Sequence, residues 1–329
     1  MVLNFQKQKL ISELRSLKPK RVLVQLPEGI KQNAFEIKEL IEKLSIKVVF
    51  SGETCWGACA LAIDEAKKSK CDVIIHFGHS EFFKQSKINV IYIEVIDQLN
   101  LVPILKKSLP TLKKYKTLGF SYSIQHKQDL KEILKFYKKE NKEILLSRKL
   151  GNISHEGQIL GCQYEGLKSI EDKVEAFVIL GNRFHALGAL IALNKPIILL
   201  DVYNDKVETF EGLRDKVLKQ RAISIQKFKD AKKVGILVEI KPGQKFGSKK
   251  LLLEKMKASG KKFIVISIDE INNEKLRNFY DVDAFVELAC PRIAIDDFAK
   301  YDKPVLTFKE AMVGLGVSSW DELLKQGLL

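Results

Sequence analysis

The sequence predicts an α/β fold of three related domains. Each is a small, mainly four-stranded parallel sheet with flanking helices, and the three are arranged around a central cleft. Three observations carry that prediction. Short apolar, β-branched runs alternate with amphipathic helical stretches along the chain, as in parallel sheets covered on both faces. The alternation repeats three times with a period of about a hundred residues, which points to duplicated domains and not to a solenoid. Three cysteines, Cys59, Cys162 and Cys290, stand at hinge points of the repeats, each more than a hundred residues from the next.

In order along the chain, the first third supplies strands at 21–26, 48–50, 73–77 and 90–93. The second supplies 117–120, 144–146, 177–180 and 197–200, and the third 234–238, 263–267, 285–288 and 305–308. The third and fourth strands make the repeat plainest. Ala176-Phe177-Val178-Ile179-Leu180-Gly181 precedes a helix and then Lys195-Pro196-Ile197; Ala284-Phe285-Val286-Glu287-Leu288-Ala289 precedes a helix and then Lys303-Pro304-Val305. The expected divisions are 1–108 carrying Cys59, 109–225 carrying Cys162 and 226–329 carrying Cys290, each boundary following a long lysine-bearing helix.

Cys59 lies 14 residues before Val73 and Cys162 lies 15 before Phe177, so these two occupy equivalent places. Cys290 follows the third strand of its own unit, where the other units have Gly78 and Gly181. Ligands of open parallel sheets gather beyond the carboxyl ends of the strands, so three units facing one another there would bring the thiols into a shared cleft. Three thiolates around one centre point to an iron–sulfur cluster with one iron open for chemistry. Cys71 leads into an apolar strand and reads as a small buried hydrophobe. Cys55 stands four residues before Cys59 and ranks below it, having no repeat-equivalent partner. Gly57 and Gly161 would let the backbone come close to a bulky cluster.

Turns at the same edge add candidates for ligand contact. Glu28 and Gly29 follow the first strand, and Lys241-Pro242-Gly243 follows its counterpart in the third unit; such turns can offer free N–H groups to a carboxylate or nucleotide, or simply connect strand to helix. His79 ends the run His76-Phe77-Gly78-His79-Ser80, and Arg183 and His185 lie in the equivalent loop of the second unit. No zinc-protease, nucleophile-elbow or phosphate-loop motif competes.

The bulk composition narrows the class further. The 329 residues hold no run of eighteen apolar residues, so no membrane span is expected. Five cysteines, an odd number, do not make a disulfide framework, and the start of the chain lacks a secretory pattern; a reducing cytoplasm is the expected location. The formal charge of +15 fits either a lysine-rich solvated surface or attraction to an acidic partner. Direct nucleic-acid binding is not expected, because neither zinc-finger spacing nor a Gly/Arg-rich tract is present.

Read together and in order, Leu26-Pro27-Glu28-Gly29, Gly57-Ala58-Cys59, His76-Phe77-Gly78-His79-Ser80, Ile159-Leu160-Gly161-Cys162 and Cys290-Pro291-Arg292-Ile293-Ala294-Ile295-Asp296 resemble the diphthamide-synthesis family, the 2-(3-amino-3-carboxypropyl)histidine synthases of archaea, over nearly the whole length. The resemblance implies three similar domains, with Cys59, Cys162 and Cys290 holding a 4Fe–4S cluster whose open iron engages S-adenosylmethionine as co-substrate. It implies radical transfer of the 3-amino-3-carboxypropyl group to a histidine of translation elongation factor 2, with release of methylthioadenosine. It further implies a homodimer and an external electron donor. Two departures stand out. Glu81 occupies a position where relatives often carry a further cysteine, and Cys55-Trp56 lies outside the family pattern. Quinolinate synthases share the plan of three domains and three cysteines, but the Cys-Pro-Arg-Ile sequence and the Gly-His-Ser turn favour the diphthamide family. A non-catalytic iron–sulfur or RNA-binding accessory subunit is the remaining alternative, and a complete ligand set in one chain argues against it.

Overall fold

The computed structural model describes residues 3–329. Three parallel sheets, one per repeat, share one strand order. In the first, Arg21–Gln25 lies between Lys47–Phe50 and Val73–Phe77, with Asn89–Ile93 beyond the latter. In the second, Thr117–Tyr122 lies between Glu143–Leu146 and Ala176–Leu180, followed by Ile197–Asp201. In the third, Lys233–Glu239 lies between Lys262–Ile268 and Ala284–Glu287, followed by Val305–Leu306. The order reverses between each unit's first and third strands, which opens a crevice at their carboxyl ends.

The uninterrupted apolar runs follow from this topology. Neighbouring residues in a strand point to opposite faces, so a strand covered on both sides must be apolar throughout. Val22 and Val24 pack with Leu10, Leu14 and Ile37 on one face of the first sheet, while Leu23 packs with Leu61, Ile63 and Ile74 on the other. The second sheet divides likewise, Leu118 and Phe120 from Phe177 and Ile179, and the third divides Val234 and Ile236 from Leu237 and Phe285.

Two devices recur with the fold. The acidic residue just before each third strand accepts the two backbone N–H groups that lead into the first strand. Asp72 takes those of Lys20 and Arg21 at 2.7 and 2.9 Å, Glu175 those of Lys116 and Thr117, and Asp283 those of Lys232 and Lys233 at 2.9 and 2.8 Å. One register pair between first and third strands also keeps its total bulk: Leu23 opposite Ile74, but Gly119 opposite Phe177 and Gly235 opposite Phe285. A methyl group on either glycine would run into the facing phenylalanine ring.

The structure departs from the sequence reading in three places. Lys206–Thr209 adds a short antiparallel fifth strand to the second sheet, and Leu3–Asn4 pairs with Ile96–Asp97. The last strand of the third unit stops at Leu306, because Thr307 begins a capping box with Glu310 and opens the helix Phe308–Gly314. The divisions expected after 108 and 225 pass through helices, Val102–Leu112 and Leu213–Asp230. Ile104, Leu105 and Leu112 join the core of the second sheet, while Val217, Ile225 and Phe228 join that of the third. The buried faces of these helices thus pack on the sheet that follows each of them. Among the described residues, no helix is long and apolar enough to cross a membrane.

Candidate metal centre

The crevices of the three units face a common cavity of about 370 Å³, and Cys59, Cys162 and Cys290 all line it. Cys59 sits in the short turn Ala58–Ala60. The buried Gln25 side chain anchors that turn, donating to the Ala60 carbonyl at 2.8 Å and accepting from the Ala62 N–H at 3.3 Å. Cys162 lies in the loop before the helix Glu165–Lys168, and Gly161 has no side chain where a Cβ would strike the Phe184 ring. Cys290 is the N-cap residue of the helix Pro291–Asp296, with proline in the first turn, where its missing N–H costs nothing.

Strand register refines the repeat. Because Leu23 faces Ile74, Gly119 faces Phe177 and Gly235 faces Phe285, Val73, Ala176 and Ala284 are equivalent. Cys59 and Cys162 then both stand 14 residues before an equivalent position, and the third unit has Glu270 there, also on the cavity wall. Cys290 is equivalent to His79 and Asn182, one residue on from the Gly78 and Gly181 that sequence alone had aligned with it. Ala289 takes the place of those glycines and hides the offset.

Burial pushes all three thiols above their ordinary pKa. Cys162 is driven to about 12 by burial and then by Cys59; Cys290 is driven well up by burial, then Cys162; and Cys59 rises by burial while a hydrogen bond from Gln244 opposes the rise. Burial thus disfavours all three thiolates, and Cys162 and Cys290 are further raised by neighbouring thiols, a donor set that a cationic core would relieve. Cys55 is also buried, with its thiol raised to about 12, and it stays outside the cavity wall.

Contacts between units hold the cysteine loops in place. Gly243 N–H donates to the Cys59 carbonyl at 2.8 Å and Gln244 Nε2 lies 3.6 Å from Cys59 Sγ, tying the third unit to the first. The Lys241-Pro242-Gly243 turn therefore spends its Gly243 N–H on Cys59 and does not offer it to a ligand. Arg292, two residues beyond Cys290, donates from Nη1 to the carbonyl of Gly161 at 2.5 Å, tying the third unit to the second. Its other nitrogens grip Asp296 at 2.6 and 2.8 Å, and its guanidinium lies 3.9 Å from the Phe184 ring centre. Gln125 reaches the Gly78 carbonyl at 2.9 Å, and Glu94 accepts from His155 and Lys127 across the first and second units.

Of the six residues expected to contact a ligand, His79, His185 and Lys241 line the cavity, whereas Glu28, Gly29 and Arg183 do not. Glu28 instead accepts from the Cys55 N–H at 3.2 Å and pairs with Lys31 at 3.0 Å. Gly29 accepts at its carbonyl from Gln32 Nε2 at 2.9 Å, and Arg183 points to solvent, 3.8 Å from Glu208. Their turns begin at the right edge but face away from the shared centre. Glu81 also lines the cavity. Sequence reasoning missed Gln244, Phe184 and the clamping role of Arg292. Only the motif around Arg292 hinted at it, since the contacts join residues more than a hundred positions apart.

Residues 26–324 match the family model of the diphthamide synthesis protein. The chain is 33% identical to the 2-(3-amino-3-carboxypropyl)histidine synthase of Pyrococcus horikoshii, over 98% of this chain and 95% of that one. It is 31% identical to subunit 1 of the Kluyveromyces lactis synthase, over 95% of this chain and 75% of the relative. The crystal structure of Dph2 from Pyrococcus horikoshii with a 4Fe–4S cluster superposes with a TM-score of 0.88 at 32% identity, covering 96% of this chain and 92% of that one.

Proposed function

The chain belongs to the diphthamide synthesis protein family, and from that premise we propose that it transfers the 3-amino-3-carboxypropyl group of S-adenosylmethionine to a histidine of translation elongation factor 2. This is the first step of diphthamide formation, and methylthioadenosine leaves. The observation that carries the proposal is the meeting of Cys59, Cys162 and Cys290, one from each repeat, in a single cavity.

These thiols fit the 4Fe–4S cluster named for the Pyrococcus structure. Soft sulfur donors suit iron, and three of them leave a fourth position free of protein ligand. When bound, such a cluster supplies an electron and an open coordination site for the methionine part of the donor. The radical route and the ligand set are part of the proposal. So is the role of His79, His185 and Lys241, which line the same cavity, as contacts to the donor. The protein's own task is orientation: the cavity must present the aminocarboxypropyl carbon, and not the adenosyl carbon, for cleavage. Exposed Trp56 at the rim and the basic surface suit a large protein acceptor. The three repeats are proposed as the structural units, and a homodimer as the working form.

The test is anaerobic reconstitution with iron and sulfide, then reaction with dithionite, S-adenosylmethionine and elongation factor 2. Mass analysis should find one aminocarboxypropyl group on one histidine, matched by methylthioadenosine. Cys59→Ala, Cys162→Ala and Cys290→Ala should each cut product at least a hundredfold. Retained activity in any of the three, or formation of quinolinate instead, would overturn the assignment.

A further inference from the structure

The His76–His79 pair has a hydrogen-bond polarity that the backbone fixes. The Gln25 amide cannot be flipped, since its Nε2 faces the Ala60 carbonyl at 2.8 Å and its Oε1 faces the Ala62 N–H at 3.3 Å. Oε1 also lies 3.0 Å from His76 Nδ1, so that nitrogen must carry the hydrogen. His76 is fully buried and held neutral by that burial, which leaves its Nε2 bare. Nε2 lies 3.0 Å from His79 Nδ1, so Nδ1 of His79 is in turn the donor. One atom remains: His79 Nε2, left unprotonated by this chain of hydrogen bonds, on a ring that lines the cavity. Gly57 leaves space before it, where a Cβ would lie 4.0 Å away. His79 is also the register equivalent of Cys290, so it enters the shared centre from the matching place in another unit.

We propose that His79 Nε2 receives the hydrogen that leaves the acceptor imidazole, with Gln25 and His76 as positioning residues that hold its lone pair toward the cavity. The proposal rests on the transfer reading above. In the net reaction the donor's C–S bond breaks, a C–C bond forms at imidazole C2, and the C2 hydrogen departs as a proton. That proton carries away the positive charge of the sulfonium, methylthioadenosine leaves neutral, and no net oxidant or reductant is consumed. Of the acidic groups on the wall, Asp296 is held by Arg292 and Glu239 lies 3.5 Å from Lys241, while Glu81 and Glu270 also line the cavity, and the variants below separate His79 from them. The position of that lone pair follows from the hydrogen-bond geometry alone.

The test uses the cluster-loaded enzyme with elongation factor 2 as acceptor, scoring modified histidine and methylthioadenosine separately. His79→Gln and His79→Ala should lower the ratio of product to methylthioadenosine at least tenfold, with product down about a hundredfold. Deuterium at C2 of the acceptor should slow product formation in these variants but not in the parent, and added imidazole should restore the ratio in His79→Ala. A ratio equal to the parent's, or no imidazole rescue, overturns the role. Should the variants fail to fold, long-range proton–nitrogen spectra of the histidine-labelled parent decide: a hydrogen on Nδ1 of His79 is expected, and one on Nε2 refutes the relay. A parent that makes neither product nor methylthioadenosine would sink the transfer reading itself, an outcome distinct from a parent that works while the variants keep its ratio.

Discussion

At the scale of single residues, Arg292 shows how one side chain ties together the loops of Cys162 and Cys290. Its planar fork holds Asp296 with two nitrogens and spends a third on the carbonyl beside Cys162, while its face rests on Phe184. A lysine keeps the charge but not the fork. Arg292→Lys should therefore leave the helical signal intact and lower iron and sulfide per chain at least threefold after anaerobic reconstitution. Full iron content would show that the clamp is dispensable. Cys55→Ala gives the contrasting case: its thiol is buried outside the cavity, so iron content should equal the parent's. The three cysteine candidates were readable as residue types at matched spacings, and Cys59 stood apart from Cys55 because only it had a repeat partner. Arg292 and Gln244 were not readable as clamps, because a contact between distant residues leaves no local periodicity.

At the scale of elements, the Gly–Phe register pairs and the acidic staples make separate predictions. Gly119→Ala and Gly235→Ala should each destabilise the protein by about 1–3 kcal/mol, the usual cost of overpacking a filled core, as read from urea unfolding midpoints. Asp283 is exposed, and its carboxyl is held below the usual aspartate range by the backbone N–H groups of Lys233 and Lys232. A depressed carboxyl contributes stability above its unfolded pKa and loses it as pH falls through the folded value. Asp283→Ala should thus lower Tm by about 2 °C at pH 7, and the difference should shrink as pH falls through the folded value. A loss that persists in acid would assign the effect to packing. The strands of all three units were legible because a sheet covered on both faces requires continuous apolar runs. The antiparallel strand Lys206–Thr209 was not legible, being short and largely exposed. Thr307 and Glu310 ended the last strand early because capping chemistry overrode the β-branched run.

For the whole molecule, 56 basic against 41 acidic residues set long-range attraction against local chemistry. If the surface steers an acidic protein acceptor, the rate of histidine modification should fall steeply between 50 and 300 mM salt, about tenfold, while the KM for S-adenosylmethionine changes less than twofold. Equal insensitivity of both would assign the lysines to solvation. The tripartite plan was visible in the repeat, but the sheet on which each linking helix packs was not. The helices Val102–Leu112 and Leu213–Asp230 bear the same lysine-rich exterior whichever neighbour they pack against, and only their buried faces reveal the allegiance.

One consequence of ligands drawn from three repeats concerns biogenesis. Cys290 lies 128 residues beyond Cys162, and its loop is latched through Arg292 to the Gly161 carbonyl, in a segment translated much earlier. A ribosome-bound chain therefore presents an incomplete set of thiols until the third unit has been made, so a cluster held by all three would enter after the repeats have folded instead of nucleating them.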